Sequence, residues 1–145
     1  MSIHVSAALR RRLVAVDDHR CAYCQTNQSN SGYPMVIDHI IPLSKGGVTE
    51  FDNLCFACHR CNLFKHATTE LEDPLTGEVV PLFNPRQQNW ADHFSWADNG
   101  IHLLGLTAIG RATIIALNMN NAVILDARRN WVRVGWHPPK NTELS

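Results

Sequence analysis

An α+β fold is predicted for this chain by two observations. Short β-rich stretches alternate with segments that carry apolar residues at helical spacing. Two Cys-x-x-Cys pairs, Cys21/Cys24 and Cys58/Cys61, bracket the first β-rich stretch. Two residues between cysteines let both sulfurs of a knuckle face one ion, and four thiolates complete a closed tetrahedral zinc site. The same pairs could be redox dithiols or four core cysteines, but two of them in one short chain favour structural zinc. With no open position, such a zinc folds the protein and does not catalyse. Cys55 is left over and reads as a small core residue.

Ser6 is a candidate N-cap for a first helix through Leu9, Leu13 and Val16, with Arg10, Arg11 and Arg12 mostly outward. The polar stretch 25–32 reads as a loop, and Pro34–Ile41 as β-rich. Ser44-Lys45-Gly46-Gly47 is turn chemistry. A helix is expected from about Asn53 to His66, capped by Asp52. On it, Leu54, Cys58, Cys61 and Lys65 would fall within about 60° of one another, with Asn62 on the shoulder. Further on, Asp73–Gly77 reads as a turn and Val79-Val80 as an extended piece. Phe94–Ala97 and Ile101–Leu104 alternate about Asn99-Gly100, a hairpin signal. Two last helices are expected near 108–118 and 121–134, the second burying Val123, Ala127, Trp131 and Val134. Residues 1–70 are expected to form the zinc-pinned core with its N-terminal helix, and 71–145 a hairpin and helical extension packed upon it.

At 145 residues and 45% hydrophobic, the chain can bury a core of its own. It has no apolar run of the ~20 residues that a membrane span needs. The start, MSIHVSAALRRR, lacks the apolar block of a secretory signal, so a cytoplasmic protein with no membrane partner is expected. The net charge of zero is unusual for a nucleic-acid binder, but it is unevenly spread. Residues 1–66 hold 7 Lys/Arg against 5 Asp/Glu, 67–99 hold 1 against 6, and 100–145 hold 5 against 2. An acidic middle thus separates two mildly basic ends.

Between the cysteine pairs lie VIDHIIPLSKGG and then Phe51-Asp52-Asn53-Leu54; the second pair runs into Cys61-Asn62-Leu63-Phe64-Lys65. Asp38 offers a hard oxygen suited to Mg²⁺ or Mn²⁺, and the Asn62 amide oxygen a second. His39 has an imidazole whose ordinary pKa suits a general base. Taken singly each is bland: an Asp-His is usually surface chemistry and an Asn at a helix start is usually a cap. Together, the Asp-His pair, the Gly-Gly turn, Asn53-Leu54 and the ending Cys-x-x-Cys-Asn-x-x-Lys resemble the HNH endonuclease family. The 14 positions from His39 to Asn53 and the 9 from Asn53 to Asn62 match its H-N-N variant.

That resemblance covers roughly residues 20–66 and implies a ββα-metal fold. It implies that Asp38 and Asn62 hold one catalytic divalent ion, that His39 activates water, and that Asn53 braces the loop aiming His39. The implied activity is metal-dependent hydrolysis of phosphodiester bonds in DNA, with double-stranded DNA the expected partner. Adjacent strand residues face opposite ways, so irregular backbone is expected at Asp38-His39. Lys65 at the helix end, and Arg128, Arg129 and Arg133 on the last helix, are candidate phosphate contacts, against the alternative of solvated cations. His59 and His66 read as solvated, Tyr23 and Phe64 as core, and Trp90, Phe94, Trp96 and Trp131 as packing. Two other functions stay open: a zinc-stabilised nucleic-acid-binding module without catalysis, and a protein-interaction module using the acidic middle.

Overall fold

The computed structural model describes residues 4–140. Helix α1 (Ala7–Val16) begins where expected, the Ser6 hydroxyl accepting from the Leu9 N–H at 3.1 Å. It buries Leu13 fully but leaves Val16 55% exposed. The chain then turns through positive φ at Asp18 and His19 into the knuckle Cys21–Cys24, followed by the short helix α2 (Gln28–Ser31).

Strand β1 (Val36–His39) pairs antiparallel with β2 (Leu54–Ala57), placing Asp38 opposite Cys55 and His39 opposite Leu54. Helix α3 (His59–Lys65) follows directly, completing a ββα unit. This corrects the expected helix from Asn53: residues 54–57 form a strand, and Cys58 is the cap, its Sγ accepting from the Cys61 N–H at 3.3 Å. Leu-Cys-Phe-Ala is an unbroken apolar run, and a fully buried strand shows no alternation to tell it from a helix. Partnership with β1 decides the matter, so the helical-wheel placement of Leu54 and Cys58 lapses.

Beyond it come β3 (Glu70–Glu72) with β4 (Val79–Pro81), and α4 (Trp90–His93) leading into β5 (Phe94–Ala97) paired with β6 (His102–Gly105). Asn99 and Gly100 do turn the second hairpin, both at positive φ, but within a loop wider than two residues. Helices α5 (Ala108–Ala116) and α6 (Ala122–Arg133) are capped by Thr107 and Asn121. The buried face of α6 is Ile124 and Arg128; Val123 and Val134 are 78% and 57% exposed, against expectation. A one-residue rotation from the apolar stripe brings the Arg128 guanidinium to its carbonyl partners.

The hydrophobic core is one cluster, from Cys21, Tyr23 and Phe56 to Phe83, Phe94, Leu103 and Met119, and so draws on both sides of residue 70. Trp90 stacks on Phe94 at 5.3 Å between centroids. Its indole N–H donates to the Tyr23 carbonyl at 2.7 Å, tying the extension to the knuckle. No helix among the described residues is long and apolar enough to cross a membrane.

Candidate metal centre and catalytic site

The two cysteine pairs arrive from different elements, one from the knuckle and one from the start of α3. Main-chain bonds bring them together: the Ala22 N–H donates to the Phe56 carbonyl at 2.8 Å, seating the knuckle on β2 just before Cys58. All four sulfurs are buried and lie within 4.8 Å of one another, with Cys24 and Cys58 at 3.8 Å. A tetrahedron of ~2.3 Å zinc–sulfur bonds has edges of about 3.8 Å, so the donor set fits a structural metal such as zinc. The Cys24 N–H points at Cys21 Sγ (3.5 Å) and the Cys61 N–H at Cys58 Sγ, as bound thiolates require. Burial pushes the Cys21 thiol well up, whereas the bond from Cys21 holds Cys24 well down. Four sulfurs in so dry a place cannot all ionise unaided, and a dication removes that conflict.

The loop 40–53 closes on itself. The Ile40 N–H donates to the Asn53 carbonyl at 2.8 Å. The Asn53 side chain accepts from the Ile41 N–H at 2.8 Å and donates to the carbonyls of Ile41 and Val48 at 3.0 and 2.8 Å. Gly47 is required beside it, because a Cβ there would lie 1.7 Å from the Ile41 oxygen and 2.9 Å from Asn53 Nδ2. The loop delivers Thr49 to His39, whose Nε2 lies 3.0 Å from Thr49 Oγ1.

Strand β1 stays regular through His39, its last residue, so the irregular backbone expected at Asp38-His39 begins only after it. Alternation turns Asp38 inward, 5% exposed, while His39 stays half-buried. Tyr23 donates its hydroxyl to Asp38 Oδ2 at 2.6 Å. The Lys65 ammonium lies 3.1 Å from the same oxygen and donates to the His39 carbonyl at 3.0 Å. Burial keeps the Tyr23 phenol well above its usual range, so it is a neutral donor. Burial lowers the His39 pKa below 6.5, with the Asp38 charge opposing it and that of Lys65 adding to it. Asn62, in the middle of α3, is half-buried and its amide bonds no described side chain or main-chain group.

A strand pair, a braced loop and a cysteine-capped helix are thus assembled from one short stretch of chain. Residues 21–68 match the family model for HNH endonuclease. They are an HNH domain. Neither the curated proteins nor the solved structures contain a match. The HNH domain supports a nuclease-related function directed at nucleic acid, and nucleases of this family use divalent metals.

Two expected phosphate contacts of this domain and its extension are corrected. Lys65 is 1% exposed and faces Asp38, because the last turn of α3 packs on the end of β1. Arg128 is wholly buried, donating to the carbonyls of Ile101 and Met119 and to Asn120 Oδ1 at 2.8–3.1 Å. Those acceptors converge from the β5–β6 turn and the α5–α6 connection, a placement no local sequence pattern reveals. Phe64, expected in the core, is 43% exposed. Thr49 and Tyr23 are the neighbours of the HNH pair that sequence reading missed. A threonine in a loop carries no signal, and the Tyr23 ring does sit in the core while its hydroxyl reaches Asp38.

Proposed function

We propose that the chain is an endonuclease that hydrolyses phosphodiester bonds of double-stranded DNA in the cytoplasm, with His39 as the general base. One observation carries this reading: His39 sits at the end of β1 with one ring nitrogen on Thr49 and its surrounding loop locked by Asn53. With Nε2 donating to Thr49, the Nδ1 lone pair is left to take a proton from water. Burial holds its pKa below the usual 6.5, which favours the neutral ring that a base needs. The Asp38 carboxylate and the Asn62 amide oxygen would hold one divalent ion, Mg²⁺ or Mn²⁺, and their hard oxygens suit it. Bound, that ion would stabilise charge on the phosphate and the leaving oxygen. Arg129 and Arg133, exposed on α6, would extend the grip on phosphates; Arg129 also pairs with Asp126 at 2.9 Å.

Supercoiled plasmid with Mg²⁺ or Mn²⁺ tests the reading. His39→Ala should cut about 10²–10⁴-fold more slowly while keeping its zinc and its DNA affinity. Equal cleavage by the variant, once contaminating nucleases are excluded, overturns the base assignment.

A further inference from the structure

The candidate catalytic site carries a cation of its own. Lysine is among the residues least often fully buried, and burying an ammonium is costly unless it is paired. Lys65 is buried at 1% exposure, at the C-terminal end of α3, between the Asp38 carboxylate and the His39 carbonyl. The groups bonded to Asp38 cancel in charge: its own −1, the +1 of Lys65, a neutral Tyr23 hydroxyl and a neutral Cys55 thiol; the amide of Asn62 brings no charge either. Asp17 and Arg86, whose charges act on the Cys55 thiol, are themselves an ion pair.

A dication meeting this set finds no net negative charge and is repelled by the ammonium. Sites for Mg²⁺ commonly combine one or two carboxylates with substrate phosphates. Here the single carboxylate is already neutralised, so the missing negative charge has to arrive with the nucleic acid. We propose that Lys65 makes divalent-ion binding conditional on DNA: the ion joins Asp38 and Asn62 only when a backbone phosphate enters beside them. This rests on the reading above that Asp38 and Asn62 hold the ion. By linkage, DNA must then raise ion affinity, and the ion raise DNA affinity, by the same factor. The consequence is a site that stays unloaded away from substrate.

Binding of Mn²⁺ to the zinc-loaded protein, followed by the electron paramagnetic resonance of free Mn²⁺, tests the proposal without reference to turnover. A His39→Ala background limits cleavage of the duplex oligonucleotide used as probe. In that background, duplex should tighten Mn²⁺ binding by about tenfold or more. Lys65→Gln keeps a hydrogen-bond donor and removes the charge, so it should bind Mn²⁺ more tightly without DNA and gain much less from adding it. Damage to the fold would weaken ion binding, so the sign of the change separates the two. Retained zinc and an unchanged melting curve confirm that the variant is folded, and Lys65→Met repeats the test if it is not.

Equal Mn²⁺ affinity with and without duplex overturns the proposal, even if neither variant folds. So does a folded Lys65→Gln whose duplex effect equals that of its parent. Asp38→Asn separates the two readings. If it binds Mn²⁺ with duplex as its parent does, the ligand assignment itself fails. If it loses binding while Lys65→Gln behaves as its parent, only the role of Lys65 fails.

Discussion

Arg128 and its neighbours on α6 show how far one side chain's role depends on its surroundings. Arg128 saturates three acceptors in a dry interior, so Arg128→Leu strips all three at once. The expected loss is about 3 kcal/mol or more of stability, read by denaturant unfolding, with no separate effect on DNA. An Arg128→Leu variant that melts like the wild type would show that the network contributes nothing. Arg129→Ala with Arg133→Ala should instead leave stability alone and lower the salt-dependence slope of duplex binding by roughly 0.9 for each phosphate no longer neutralised. Parallel binding lines would mean that α6 does not meet DNA.

His137 gives the residue scale a pH signature. It is 4% exposed, edge-on to Trp96 at 4.4 Å, and burial with the Arg128 charge pushes it down to about 4 from 6.5. Between those values the unfolded chain binds a proton that the folded one refuses, so stability is full above pH 6.5. It falls progressively as pH drops toward 4, by about 3 kcal/mol in all. Unfolding free energies at pH 7 and pH 5 should therefore differ for wild type and much less for His137→Phe. The same pH dependence in both proteins would assign the loss to other groups.

At the scale of elements, the loop between β1 and β2 is the part whose shape the proposed chemistry needs most. Its closure depends on the three Asn53 bonds and on the absence of a side chain at Gly47. Gly47→Ala must open the brace, since the new methyl would overlap the Ile41 oxygen. Displacing His39 by even an ångström can cost about 10²-fold. Plasmid cleavage should fall by that order for Gly47→Ala and Asn53→Ala, while zinc content and far-UV circular dichroism stay as they are. Cleavage at the wild-type rate by both would free the loop of any role in aiming His39.

Across the whole molecule, the two metals should separate by affinity. Four thiolates hold zinc far more tightly than oxygen ligands hold Mg²⁺, and closed zinc sites contribute folding energy directly. A brief wash with a mild chelator should stop cleavage, and adding Mg²⁺ should restore it with the fold intact throughout. Cys58→Ser removes a thiolate ligand while its hydroxyl can still cap α3, so the damage to the fold that it should cause comes from the lost metal site. Protein purified without chelator should carry stoichiometric zinc by elemental analysis; its absence would refute the structural-metal reading.

The α+β class, the cysteine pairs and the last two helices were legible in sequence, because each rests on local signals of spacing, periodicity and turn chemistry, whereas the Asn53 brace came only from the resemblance to the HNH family. Ser6, read as a cap in the sequence, does cap α1. What only the tertiary structure decided is where buried partners meet. Residues 54–57 became a strand because β1 lay beside them, not because of any periodicity of their own. Lys65 and Arg128 look like surface cations in a sequence, since nothing linear marks the Asp38 carboxylate or the converging carbonyls that receive them. A charge is tolerated inside only where fixed partners wait for it, and those partners come from other elements of the fold.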